Sequence, residues 1–365
     1  MKQRNVVVLG AGKVGRLVSR WLAESGDYLV TVVDRTKELA AFATKRQDGS
    51  PVPGIVAAAA DLGDEATLAK LLAGKDYVVS CAPFHLTKGI ARAALAQGVN
   101  YLDPTEDVAT TKLVKDLSEG ADRAFIPQCG LAPGFITIVA NHVAAPFEKL
   151  DTVKMRVGAL PVYPHNWLKY NLTWSTEGLI NEYIQPCEAI VDGQLVTVPA
   201  LQDSERLNVD GLEYEAFNTS GGLGTLADSW RGKVRNLNYK SIRYPGHRDL
   251  MELLLQDLKF RDEPNELKRV LERSLPHTYQ DVVLLFVTVT GHIQGRYTQT
   301  SYVKKVYGDE ESADKWGAIQ LTTASGICGV LDLHAQGVIK QRGFVRQEEV
   351  PFEAFVKNRF GKTYA

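Results

Sequence analysis

The chain has 365 residues, 45% of them hydrophobic, which suffices for two ordinary domains with substantial cores and excludes a disordered chain. Lysine and arginine number 42 against 43 aspartates and glutamates, and the two signs are interspersed, so there is no electrostatic footprint for nucleic acid or an anionic membrane. The expected partner is a small molecule. Cys81, Cys129, Cys187 and Cys328 lie far apart with no Cys-x-x-Cys pair, arguing against a zinc site and a disulfide framework and fitting a reducing cytoplasm. No run approaches the ~20 apolar residues of a membrane span. The start of the chain enters a strand without a signal-peptide core, so neither export nor membrane insertion is expected.

Residues 5–10 read as an apolar strand running into Gly10-Ala11-Gly12-Lys13-Val14-Gly15 and then an amphipathic helix over 13–25. In a dinucleotide-binding turn the first glycine permits the tight bend, the second lets pyrophosphate approach the backbone, and the third lets helix pack on strand. The helix N-terminus then faces the phosphates. A second strand over 28–33 ends in Asp34, about 20 residues beyond the glycines, where a carboxylate accepts from the ribose hydroxyls. This spacing predicts NAD. Arg35, directly after it, suits a 2′-phosphate and leaves NADP open.

Up to about residue 128 strands and helices alternate, with further strands near 55–60, 76–82, 100 and 125. The expected architecture is α/β: a Rossmann doubly wound parallel sheet, followed by an α+β substrate and dimerisation domain with a mixed or antiparallel sheet. The second domain is signalled by the turn dipeptides Asp192-Gly193 and Asp210-Gly211, by an apolar strand over 281–290 and by its alternating partner over 297–307. Residues 256–276 are expected to form its helical cover. Domain limits of 1–128 and 129–315 follow, with a helical segment over 316–365 returning to the first domain. Ligands in such sheets lie beyond the carboxyl ends of the strands, which directs attention to Asp34, Asp61, Ala82, Pro83, His85, Asp103 and Cys129.

The Gly10 fingerprint, Ala82-Pro83-Phe84-His85, Asn100-Tyr101-Leu102-Asp103, Cys129-Gly130-Leu131-Ala132-Pro133-Gly134 and Ser241-Ile242-Arg243-Tyr244-Pro245-Gly246-His247 together resemble the saccharopine dehydrogenase family. The runs Glu177 to Tyr183 and Asn218-Thr219-Ser220-Gly221-Gly222 look closest to its lysine 6-dehydrogenase branch. The resemblance implies NAD(P)-linked oxidation of a carbon bearing nitrogen, giving an imine that water hydrolyses. For lysine the products are ammonia and 2-aminoadipate 6-semialdehyde.

Such chemistry needs a proton acceptor for the substrate ammonium and a binder for the amino-acid carboxylate. Asp103 is the first candidate for proton handling; its bland alternative is a helix cap, since Asp103-Pro104 also signals a helix start. His85 is the second, with a first-turn role as its alternative. Cys129 matches a family motif whose cysteine lines the active site, and a small apolar wall is the role expected of it. Arg243 is the candidate for the α-carboxylate, because a guanidinium pairs with it bidentately, against the alternative of a surface salt bridge. Tyr170, Glu177, Thr219, Ser220 and His247 complete the expected substrate pocket. The remaining histidines show no metal-ligand spacing, so no metal is expected.

Three alternatives stay open: a saccharopine-type dehydrogenase or reductase, which needs more cationic groups for extra carboxylates; a carboxynorspermidine-type reductase; and a non-catalytic nucleotide-binding sensor. A homodimer is the default for a second-domain sheet of this kind.

Overall fold

A computed structural model describes residues 3–309 and 314–365. Among these the chain divides into two compact units: one runs to Phe135 and resumes with Asp314 and Gln320–Ala365, and the other contains Ile136 onward and Lys315–Ile319.

The first unit is built on strands β1 (Arg4–Leu9), β2 (Tyr28–Asp34), β3 (Ile55–Ala59), β4 (Tyr77–Ser80), β5 (Asn100–Leu102) and β6 (Ala124–Ile126). The later strands of the chain are β7 (Lys149–Pro161), β8 (Cys187–Val191), β9 (Gln194–Val198), β10 (Glu205–Val209), β11 (Leu212–Asn218), β12 (Val234–Arg243), β13 (Asp281–Ile293), β14 (Arg296–Tyr307) and β15 (Gly343–Phe344). The first sheet has the order β15-β6-β5-β4-β1-β2-β3 and is parallel throughout. β1 is paired along both edges by β4 and β2, and Val6 to Leu9 are an unbroken apolar run with no exposed surface, so both its faces are covered as well. The strand order reverses at β1 and β4, so a crevice is expected where those two strands end. One face carries the helices Glu65–Leu72, Phe84–Gln97 and Val108–Leu117 over Val7, Leu9, Val78, Tyr101 and Phe125. The seventh strand, β15, comes from the far end of the chain and pairs with β6 through Gly343 and Phe344.

In the second unit β7 is the central strand, parallel to β12 and antiparallel to β13, in a sheet of order β10-β11-β12-β7-β13-β14 with the β8–β9 hairpin attached to β12. The three hairpins turn on Asp192-Gly193, Asp210-Gly211 and Gln294-Gly295, each pair at positive φ, which is the tight two-residue turn that suits twisted strands. Lys305 on β14 pairs with Asp210 beside β10 at 2.9 Å, so the two ends of this strand order curl toward each other. One face is covered by the helices Thr176–Ile184 and Pro264–Ser274, packing Leu179, Tyr183, Leu267 and Leu271 with Phe217 and Tyr170. The continuous cover expected over 256–276 is broken. Pro264 occupies the first turn of its helix, where its missing N–H costs nothing but where it forbids helix on its N-terminal side.

Candidate active site

The nucleotide end of the first unit follows from packing around three glycines. Gly10 has φ +98°, and a Cβ there would lie 2.6 Å from the Cys81 carbonyl oxygen, so β1 and β4 end in direct contact. A Cβ on Gly15 would lie 1.9 Å from the Gly10 carbonyl oxygen, which seats helix Lys13–Glu24 tightly on the turn. Gly12 differs: a Cβ there would meet nothing within 4 Å. The exposed backbone of Gly12, at the N-cap of a 12-residue helix with no side-chain cap, is where a pyrophosphate fits. Lys13 and Val14, both half-buried, form the first helical residues beside it.

Asp34 stands at the end of β2 as expected, and its carboxylate is already in use. One oxygen accepts from the Ala11 backbone N–H at 2.8 Å and the other from the Arg35 N–H at 2.7 Å. The acid thus ties the end of β2 to the glycine turn. Arg35 is exposed. Asp61, also exposed, accepts from the Gly63 N–H in a local turn. Ala82 and Pro83 lead into helix Phe84–Gln97, with Ala82 N beside Gly10, and His85 is exposed in its first turn against the Phe84 ring edge.

Asp103 lies elsewhere in the hydrogen-bond economy of this unit. It is fully buried, with one oxygen accepting from Tyr101 Oη at 2.5 Å and the other from the N–H groups of Thr105 at 2.8 Å and Gln128 at 3.4 Å. Its backbone carbonyl takes both the N–H and the thiol of Cys129. Burial pushes the carboxyl up to about 6 although these donors pull it down. The helix-cap alternative is corrected: Asp107, four residues further on, caps helix Val108–Leu117 through the Thr110 N–H, while Asp103 accepts from the Thr105 N–H in the segment before it. Cys129 is also fully buried, and burial and the neighbouring Asp103 carboxylate hold its thiol far above the usual range. It remains protonated, which leaves no thiolate to act as a nucleophile.

In the second unit the candidates gather around Arg243. Tyr239, Ser241 and Arg243 alternate on one face of β12, and all three are buried, which polar residue types alone did not signal. The guanidinium lies over the rings of Tyr170 and Tyr183, at 5.3 and 5.8 Å from their centroids. Its Nε donates to Tyr183 Oη at 2.8 Å and its Nη1 to the Ile242 carbonyl at 2.8 Å. Burial works against the charge, but the facing Tyr183 and Tyr170 and the Glu182 carboxylate hold it firmly protonated. The surface salt-bridge alternative is therefore excluded by burial. His247 is buried beside it, with Nε2 3.1 Å from Tyr183 Oη and Nδ1 2.8 Å from the Leu168 carbonyl. Burial, reinforced by the Arg243 charge, brings its pKa down to about 3.

Thr219 Oγ1 lies 2.8 Å from Ser241 Oγ, and the Ser220 N–H donates to the Glu182 carbonyl, so both reach this cluster. Gly222 sits on the Tyr239 ring, where a Cβ would come within 2.3 Å. Glu177 is not brought to Arg243: it is partly exposed and pairs with Lys268 at 3.5 Å. Helical geometry explains the difference, since Tyr183 and not Glu177 continues the Thr176, Leu179, Ile180 stripe that faces the core. Tyr183 and Glu182 are the residues missed, although that i, i+3, i+4, i+7 spacing marks Tyr183.

Among the described residues no cluster of three His, Cys, Asp or Glu side chains is placed to hold a metal, and no helix is long and apolar enough to cross a membrane.

A parallel nucleotide-type sheet with a second unit that gathers a buried arginine in an aromatic setting defines a two-unit dehydrogenase-like architecture. Residues 6–124 match the family model described as saccharopine dehydrogenase NADP binding domain, and residues 130–360 match the saccharopine dehydrogenase C-terminal domain. The chain belongs to the saccharopine dehydrogenase family. It is similar to the mitochondrial alpha-aminoadipic semialdehyde synthase of Mus musculus, 28% identical over 206 residues covering 54% of this chain and 21% of that protein. It is also similar to the saccharopine dehydrogenase [NADP(+), L-glutamate-forming] of Saccharomyces cerevisiae, 27% identical over 206 residues covering 53% and 44%. The match thus spans about a fifth of the mouse protein and less than half of the yeast one. The apo histidine-tagged saccharopine dehydrogenase (L-Glu forming) from Saccharomyces cerevisiae shares the fold, with TM-score 0.77 and 17% identity over 97% of this chain and 96% of that one.

Proposed function

We propose that the protein is a nicotinamide-dinucleotide-linked amino-acid dehydrogenase that oxidises the 6-amino-bearing carbon of lysine, releasing ammonia and 2-aminoadipate 6-semialdehyde. The observation that carries this reading is the Arg243 guanidinium, buried, stacked on two tyrosines and hydrogen-bonded at Nε and Nη1, while none of its hydrogen bonds to the described residues uses Nη2. That edge suits one carboxylate of a small amino acid.

Gly12 and the first turn of helix Lys13–Glu24 hold the pyrophosphate, and Asp34 faces the adenosine ribose. A nicotinamide dinucleotide held there would supply the hydride acceptor for the substrate carbon. The substrate must first lose a proton from its ammonium. Of the two strand-end groups considered for that proton, His85 is exposed and Asp103 is sealed with both oxygens occupied, so His85 is the proposed acceptor. Water then adds to the imine carbon and nitrogen leaves as ammonia.

Asp34 sets the proposed preference toward NAD, against the NADP named in the family model's description, because its charge opposes a 2′-phosphate. Replacing Asp34 by Ala should shift the ratio of kcat/KM values toward NADP by about tenfold or more, ~1.4 kcal/mol of differential binding. Arg35→Ala should shift it the other way. A wild-type ratio already favouring NADP would remove Asp34 from this role.

A saccharopine-type reaction is the second reading, favoured by the names of the matched relatives. The two separate in one assay: an amine screen for NAD reduction with released ammonia measured with and without 2-oxoglutarate. The lysine reading expects ammonia equal to NADH and indifferent to 2-oxoglutarate. Glutamate formed from saccharopine, with no ammonia, sinks it in favour of the second. Tight NADH binding without turnover of any amine points to the sensor.

A further inference from the structure

We propose that Tyr183 and His247 form a relay that positions the Arg243 fork for a substrate carboxylate, with His247 held as the Nδ1–H tautomer and serving only as an acceptor at Nε2. The inference rests on the carboxylate-binding reading of Arg243 given above, and it assigns roles to two residues that do not touch the ligand themselves.

The directions of three hydrogen bonds follow from elementary donor and acceptor counting. The Leu168 carbonyl can only accept, so the hydrogen on the 2.8 Å contact must reside on His247 Nδ1. A neutral imidazole with its proton on Nδ1 has a bare Nε2, which can only accept. Tyr183 Oη, 3.1 Å away, therefore donates to it. The Tyr183 oxygen keeps its lone pairs for Arg243 Nε, which can only donate, at 2.8 Å. The chain has one consistent polarity: Arg243 Nε to Tyr183 Oη to His247 Nε2, with His247 Nδ1 closing on the Leu168 carbonyl.

The consequence falls on the guanidinium. Nε is fixed by Tyr183 and one Nη1 hydrogen by the Ile242 carbonyl, so the plane is set from its inner side. The Tyr170 ring, 5.3 Å from the guanidinium carbon, opposes rocking out of that plane. The Nη2 side is then presented in one orientation, as bidentate pairing demands. The imidazole is itself boxed in by the rings of Tyr170, Tyr183 and Phe217, with centroids at 5.4, 5.9 and 6.4 Å. A charged His247 would place a second cation against Arg243, and it would also lose the acceptor that orients Tyr183. Burial and the adjacent Arg243 charge together hold His247 in the neutral form.

The test has one arm that needs no substrate and one that does. Histidine-selective 15N NMR, with His247 assigned by loss of its signals in His247→Gln, should show the neutral Nδ1–H tautomer from pH 8 to pH 5. In Tyr183→Phe the Nε2 resonance should move to that of an acceptor without a donor. An Nε2–H tautomer overturns the relay whether or not the enzyme turns over any amine, which keeps this result separate from the reading of the activity.

In the second arm Tyr183→Phe should raise KM for a carboxylate-bearing amine by about tenfold with kcat within twofold, and leave the KM for the diamine cadaverine unchanged. His247→Gln, which retains an amide oxygen to accept from Tyr183 Oη, should raise that KM by less than Tyr183→Phe does. An unaltered KM for the carboxylate substrate in a folded Tyr183→Phe protein overturns the relay. So does an equal rise for cadaverine.

Discussion

Arg243→Lys should lower kcat/KM for lysine by on the order of 100-fold, about 2.7 kcal/mol, even though the positive charge is kept. A lysine ammonium at this position is a point charge on a flexible stem. It can satisfy either Tyr183 or the Ile242 carbonyl and still face a carboxylate, but it cannot hold the plane that Nε and Nη1 fix together. Stacking on Tyr170 and Tyr183 is weakened in the same step, because the delocalised guanidinium lies over both rings. The loss should be selective. Cadaverine, which lacks the carboxylate, should be a poor substrate of the wild type and lose little more in the variant. Equal proportional losses for lysine and cadaverine would take Arg243 out of the substrate site and return it to a structural role.

The nucleotide end was legible because its demands are local. Gly10, Gly12, Gly15 and Asp34 lie within 25 residues of one another, and each answers to a backbone geometry or a charge that a single β-α-β unit imposes. The strands of the first sheet follow for the same reason, since burial on both faces writes runs such as Val6 to Leu9. What escaped is nonlocal. The two-residue β15 joins the sheet from more than 200 residues beyond β6, and nothing in Gly343-Phe344 announces a parallel partner at Ala124 and Phe125. The central β7 escaped too, because Arg156 and Lys154 interrupt its apolar pattern and are compensated by Glu205 from another strand.

The same distinction runs through the candidate residues of the second unit. Arg243 and His247 stand in the Ser241 to His247 motif and Tyr170 stands outside every motif, and the polar character of the three gives no hint of burial. Burial here depends on partners distant in the chain: Tyr183 for Arg243 and His247, and Leu168 for His247. Glu177 lies in the first turn of its helix and pairs with Lys268, and only the packing of the Leu179 stripe reveals which residues turn inward.

Asp103→Asn separates a sealed carboxylate from a working one. Folding raises the Asp103 pKa from 3.8 to about 6, chiefly through burial, so the folded protein binds this proton more tightly than the unfolded chain. The stability that this contributes is fully present below about pH 3.8 and is lost as the pH rises through about 6, on the order of 3 kcal/mol in all. Asparagine imitates the protonated acid in size and carries no charge at any pH. Relative to wild type, the variant should therefore gain stability as the pH is raised from 4.5 to 7.5, read from urea unfolding at the two pH values. With both oxygens of the native group bound by Tyr101, Thr105 and Gln128, turnover should fall less than tenfold and NADH binding should persist. A stability difference that ignores pH would sink the titrating, buried picture. A loss of roughly 100-fold in kcat/KM with an unchanged unfolding profile would instead make Asp103 the acceptor of the substrate proton, because such a loss is typical of a positioned acid-base group and not of a buried brace.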